Sequence, residues 1–130
     1  MASIPALPLI AVVDDEETVR TALGRLIRSA GFTVATFASG GDFLRSVRDQ
    51  CPQCLVMDLH MPQLNGFDVQ VALQHARLRI PLVVITGDDT QASRSMALAY
   101  GAAAYLRKPV DDAMLMDAIR SALRSGELPS

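Results

Sequence analysis

No apolar run in the 130-residue chain approaches the length of a membrane span, and no basic region precedes the apolar residues of the opening "MASIPALPLI". Neither membrane insertion nor export is indicated, and the cytoplasm is the expected location. A basic stripe is missing too. The 12 basic and 14 acidic residues are mixed along the sequence for a net charge of -2, which argues against direct nucleic-acid binding by this chain. Cysteine is scarce, with only Cys51 and Cys54 in "CPQC". The C-x-x-C spacing invites a redox or zinc reading, but the pair precedes an apolar run instead of following one, and no second ligand pair has matching spacing. One turn cysteine and one buried cysteine is the plainer expectation. Repeats, low-complexity segments and internal linkers are absent. With 50% hydrophobic residues, the chain has the material for one domain with its own core.

What is present is an alternation of two periods. Short apolar runs at Leu9 to Val13, Thr33 to Phe37, Leu55 to Met57, Leu82 to Ile85 and Ala103 to Leu106 read as strands. Between them lie helical patterns. From Glu17 to Ala30, the residues Val19, Leu23, Leu26, Ile27 and Ala30 share one face, and Gly31 supplies the stop. Further helices are expected near Gly41 to Arg48, Phe67 to Arg77, Gln91 to Tyr100 and Asp112 to Arg124. Five strands alternating with five helices, the strands too apolar to face water, predict a parallel sheet covered on both sides. "MPQLNG" reads as a turn in which Pro62 fixes φ and Gly66 lets the backbone reverse. The tail "SGELPS" suits either a free C-terminus or the start of a linker.

In an open α/β sheet, residues just after the strands converge at one edge. Here they are Asp14 and Asp15 after the first strand, Asp58 after the third, Thr86 after the fourth and Lys108 after the fifth. Three carboxylates held together repel unless a cation sits among them. A hard divalent ion such as Mg2+ answers this, since it takes a few carboxylate oxygens and leaves positions for phosphate oxygens. Lys108 and Thr86 then serve as a point charge and a hydroxyl donor for a phosphoryl group. Lys108 is also the single lysine beside 11 arginines, and it precedes a proline that can adopt cis at low cost and turn the side chain over the sheet edge.

The segments "VVDDEETVRTALGRLI", "CLVMDLHMPQLNGFDV", "PLVVITG" and "GAAAYLRKP", in this order and spacing, resemble the receiver domains of two-component response regulators, of the type found in nitrogen-fixation-type transcription regulators. The resemblance covers about residues 8 to 124, nearly the whole chain, and implies a single receiver domain over residues 1 to 130 with that stretch as its core. Its fold would be a flavodoxin-like (βα)5 three-layer sandwich with strand order 2-1-3-4-5. It implies Asp58 as phosphoacceptor, with Asp15 and Asp58 as direct Mg2+ ligands, Asp14 acting through water and the backbone carbonyl of His60 as another ligand. Thr86, followed by Gly87, pairs with Tyr105 as the switch, and Lys108, followed by Pro109, senses the phosphate. Implied partners are a sensor histidine kinase or histidine phosphotransfer protein as donor and a downstream effector protein or domain, with a phosphorylation-dependent homodimer allowed.

The expected chemistry is a signalling switch, not enzymatic turnover, with slow intrinsic self-dephosphorylation. Thr86 is drawn toward the phosphoryl group, Tyr105 fills the vacated space, and the face made by the fourth helix, fifth strand and fifth helix repacks. His60 and Asp88 are the candidates to modulate the lifetime of the phosphorylated state. Several residues also have plainer roles. Asp15 or Glu16 suits a helix N-cap, Tyr105 suits a core ring with its hydroxyl at the surface, and His60 suits a surface imidazole whose carbonyl alone is used. Two other classes fit less well. A haloacid-dehalogenase-type phosphatase needs a second Asp where His60 stands, and a flavodoxin-like FMN protein needs a phosphate loop where "DDEET" is anionic.

Overall fold

The computed structural model describes residues 7 to 127. The first six residues of "MASIPALPLI", read for an export signal, and the last three of "SGELPS", read as terminus or linker, lie outside the described residues. Five strands and five helices alternate: β1 (Leu9–Val13), α1 (Glu17–Ser29), β2 (Thr33–Phe37), α2 (Gly40–Ser46), β3 (Cys54–Asp58), α3 (Gly66–His75), β4 (Leu82–Thr86), α4 (Gln91–Ala99), β5 (Ala104–Arg107) and α5 (Asp112–Glu127). All strand pairs are parallel, in the order β2-β1-β3-β4-β5. This is the expected flavodoxin-like arrangement.

Side-chain alternation along the strands splits the core into two layers. Ala11, Val13, Leu55, Met57, Leu82 and Val84 face α2, α3 and α4, where they meet Phe43, Val47, Val69, Leu73 and Ala97. Ile10, Val12, Cys54, Val56, Val83 and Ile85 face the other way, onto Leu23 and Ile27 of α1 and Leu115, Met116, Ile119 and Ala122 of α5. A strand covered on both faces has no polar side, which is why β1, β3 and β4 read as unbroken apolar runs. The edge strands are different. In β2, Thr33 and Thr36 are exposed, and β5 is only half-buried, because each borders a single neighbour.

Helix boundaries follow local chemistry. Ser39 caps α2 by accepting from the Asp42 N–H, and Thr90 caps α4 by accepting from the Ser93 N–H. At α3, Asn65 and Asp68 each accept from the other's backbone N–H in a capping box. Gly31 and Gly101, at φ +98 and +84, turn the chain out of α1 and α4, as the sequence predicts for a residue without a Cβ.

Two expectations require correction. The positive φ in "MPQLNG" belongs to Gln63, at φ 67, and not to Gly66. Gly66 opens α3 and is required by packing, since a Cβ there would lie 3.3 Å from the Cα of Leu59. The capping role considered for Asp15 or Glu16 is not used either. Glu16 occupies the N-cap position of α1, but its side chain makes no capping bond.

Candidate functional site

The carboxyl edge of the sheet gathers the residues that the strand ends predict. β1 delivers Asp14, whose backbone N–H donates to the Phe37 carbonyl at 3.1 Å, and β3 delivers Asp58. Both are buried. The exposed Asp15 and Glu16 complete the group, and one carboxylate oxygen from each of the four lies within 4.8 Å of the others. Asp14 Oδ1 accepts from the Glu16 N–H at 2.9 Å, and Asp58 Oδ1 from the His60 N–H at 3.1 Å. Each buried acid thus spends one oxygen on its own loop and turns the other toward the notch.

Lys108 enters this notch from the loop after β5, where the Lys108–Pro109 peptide is cis, as the sequence allowed. Its Nζ lies 3.0 Å from Asp14 Oδ2, Glu16 Oε1 and Asp58 Oδ2. Burial by itself depresses the ammonium's pKa. The three carboxylates outweigh it and hold the group above its ordinary 10.5. Asp14 is moved the other way. Burial raises its carboxyl above 3.8, against the lowering influence of the Glu16 N–H and Lys108. Its contact with Lys108 is ionic without hydrogen-bond geometry, so the buried Oδ2 has no donor of its own.

That orphaned oxygen tests whether a metal fits. An all-oxygen donor set, two of its carboxylates buried and a single lysine offsetting it, is the chemistry a hard divalent cation prefers over a thiol- or imidazole-seeking one. The donor set fits Mg2+. The "CPQC" pair stands apart. Cys51 is free and exposed, while Cys54 is free, buried in β3 and pushed up to about 12 by that burial, which leaves an inert thiol.

The remaining predicted residues surround the notch. Thr86 is fully buried at the end of β4. Its Oγ1 accepts from the Asp88 N–H at 3.0 Å and donates to the Asp88 carbonyl at 3.3 Å, so the hydroxyl is held by its own loop. Gly87 leaves room beside it, since a Cβ there would meet only Lys108 Cδ, at 3.9 Å. Asp88 itself is exposed. Tyr105 is half-buried, with the guanidinium of Arg94 5.7 Å from its ring centroid. Its hydroxyl is buried without a hydrogen-bond partner, unlike the surface hydroxyl considered above, and its pKa is raised by burial and then by the nearby Asp89. Pro109 lines, with Thr86, Arg94, Leu98, Tyr105 and Met114, a concavity between α4 and α5 of about 690 Å³.

Three contributors were given no part in the site by sequence. Glu16 pairs with Lys108 across 92 positions, and Asp89 holds Arg94 at 2.7 Å and Arg107 at 3.6 Å. Ser93 meets the His60 imidazole at 3.2 Å. The acidic run after β1 was a usable signal for Glu16. Nothing in the sequence foretells the other two, because their partners come from separate elements.

A doubly wound parallel sheet with buried acids and a bridging lysine at its carboxyl edge defines the class of α/β domains that bind at a topological switch point. Comparison with known proteins narrows this. The chain matches the response regulator receiver domain over residues 10–120, and it belongs to that family, a signalling domain of two-component systems. It is similar to response regulator protein TodT of Pseudomonas putida, 35% identical over 116 residues that make up 89% of this chain and 51% of TodT. Nodulation protein W of Bradyrhizobium diazoefficiens is 35% identical over 114 residues, 88% of this chain and 50% of that protein. This chain therefore spans about half the length of these relatives. Among solved structures, FixJ-N superposes with a TM-score of 0.85 at 32% identity, covering 95% of this chain and 97% of FixJ-N. The resemblance read from the motifs is borne out.

Proposed function

We propose that the 130 residues form a single receiver domain in which Asp58 accepts a phosphoryl group from the phosphohistidine of a sensor kinase or phosphotransfer protein. The observation that carries this reading is the pairing of Asp58 Oδ2 with Lys108 Nζ at 3.0 Å inside a cluster of acids suited to a metal. Asp14, Asp15 and Asp58, with the His60 carbonyl, would hold Mg2+. When bound, the ion supplies positive charge beside the phosphoryl oxygens. The Asp58 carboxylate attacks phosphorus in line, the P–N bond breaks, and its electron pair returns to the donor imidazole while an acyl phosphate forms. Lys108 moves its charge from the free carboxylate to the new phosphoryl oxygens. Slow hydrolysis of the acyl phosphate resets the domain, without turnover of a substrate.

Arrival of three strong acceptor oxygens draws the Thr86 hydroxyl away from Asp88. Two hydrogen bonds at 3.0 and 3.3 Å break in that movement. Tyr105, whose buried hydroxyl has no partner to lose, then takes the vacated space and draws away from Arg94. This repacks the α4, β5 and α5 face, which carries exposed Leu98 and Met114, for an effector or a second copy of the chain. The reading places the domain in the cytoplasm, beside its kinase. Among the described residues no helix is long and apolar enough to cross a membrane.

Intact mass after incubation with acetyl phosphate and Mg2+ tests the proposal. An adduct of about 80 daltons is expected on the wild type and none on Asp58→Ala. Equal uptake by both proteins would overturn it.

A further inference from the structure

A chain of hydrogen bonds runs from the Asp58 loop into α4 by a route that uses neither Thr86 nor Tyr105. The His60 N–H donates to Asp58 Oδ1 at 3.1 Å, and the same residue's Nε2 lies 3.2 Å from Ser93 Oγ. Ser93 Oγ accepts from the Thr90 hydroxyl at 3.0 Å, while Thr90 Oγ1 accepts from the Ser93 N–H at 3.0 Å. Thr90 is the N-cap of α4. His60 is exposed, and a free imidazole there would be served by water. It is instead engaged with a serine that is 7% exposed.

Ser93 Oγ, which accepts from the Thr90 hydroxyl, still has a proton to give and a second lone pair, so it can meet Nε2 in either tautomer of the ring. One residue, His60, thereby holds Asp58 through its backbone and the first turn of α4 through its side chain.

We propose that Ser93 is a positioning residue that fixes His60 to α4 and thereby sets how long a phosphoryl group remains on Asp58. This rests on the reading of Asp58 as phosphoacceptor. The tether keeps the loop after β3 ordered over the site. With the tether cut, the His60 N–H loses its fixed place, the loop loosens, and water reaches the acyl phosphate more often. Displacement of the α4 N-terminus by a docked partner acts through the same link.

The test combines decay of the phosphorylated protein with a spectrum of the histidine. Ser93→Ala and His60→Ala should each shorten the phosphoprotein half-life by the same factor, about two- to tenfold, the range spanned by loss of one hydrogen bond. The double variant should be no faster than either single one, since both cut one link. Ser93→Thr, which keeps the hydroxyl, should restore the wild-type half-life. Ring 15N shifts of His60 should differ between the wild type and Ser93→Ala, because the Nε2 contact at 3.2 Å is lost in the variant. Unchanged decay in Ser93→Ala, multiplying effects in the double variant, or His60 ring 15N shifts identical in the wild type and Ser93→Ala would each overturn the proposal. Absence of any mass adduct on the wild type would instead remove the phosphoacceptor reading and this proposal with it, and the mass spectrum alone identifies that outcome.

Discussion

Asp14 holds a carboxylate in a place where the fold disfavours its charge. It is fully buried, one oxygen lacks a donor, and desolvation outweighs the attraction of Lys108 and raises its pKa. Asp14→Asn keeps an acceptor for the Glu16 N–H and removes the charge, so without metal it should stabilise the domain by about 1 kcal/mol, or roughly 3–6 °C in Tm. The pH dependence follows from linkage. A folded pKa above 3.8 means the folded state binds this proton more tightly, so the wild type loses stability as pH rises from 3.8 through the raised value. The advantage of Asn should be absent below that window and complete above it. Urea unfolding at a series of pH values measures this, and an advantage independent of pH would refute the account. At this scale the sequence was informative about residue type and poor about partners. Asp14, Asp58, Thr86 and Lys108 were legible because each follows an apolar run, whereas Glu16, Asp89 and Ser93 meet residues from other elements.

At the scale of elements, the junction between α2 and α3 shows how adjacent glycines serve different ends. A Cβ on Gly40 would fall 2.6 Å from Val69 Cγ2 and 3.4 Å from Leu64 Cβ, so α2 packs against α3 only because that position is bare. Gly40→Ala should cost about 1–3 kcal/mol through overpacking. Gly41 faces outward, with the flexible Arg45 guanidinium as its nearest neighbour at 3.5 Å. Gly41→Ala should gain about 0.4–1 kcal/mol by restricting the unfolded chain. Chemical denaturation of the pair decides the matter, since a sequence-only propensity argument gives both substitutions the same sign. Element types and centres followed the period of the apolar residues, and boundaries moved by at most three residues. Caps explain much of the shift: Ser39 and Asn65 begin α2 and α3 one residue earlier than the apolar pattern alone suggested.

At the scale of the whole molecule, a metal held at the proposed site would be linked to the fold by mass action. A cation that binds only the folded notch stabilises it by about 2.7 kcal/mol at a hundred times its Kd. Mg2+ should therefore raise the Tm of the wild type in proportion to the logarithm of its concentration, and Asp14→Asn and Asp58→Asn should respond far less. An equal response in all three proteins would place the ion elsewhere. On this expectation Asp14, which costs stability when bare, would add to it when a cation is held. That reciprocity suits a notch made from the ends of two adjacent parallel strands, β1 and β3, whose register leaves little freedom to spread the carboxylates apart.

The sequence by itself determined the fold class, the count and order of elements, and the strand-end residues, because hydrophobic period and turn chemistry are local and a parallel α/β sheet brings its carboxyl edges together by topology. It also determined the family, through motifs spaced along most of the chain. Only the tertiary structure decided that Lys108 bridges three acids, that the Tyr105 hydroxyl is buried and unpaired, and that His60 is tied to Ser93. Those facts depend on side-chain direction and distance between elements dozens of residues apart, which no periodicity encodes.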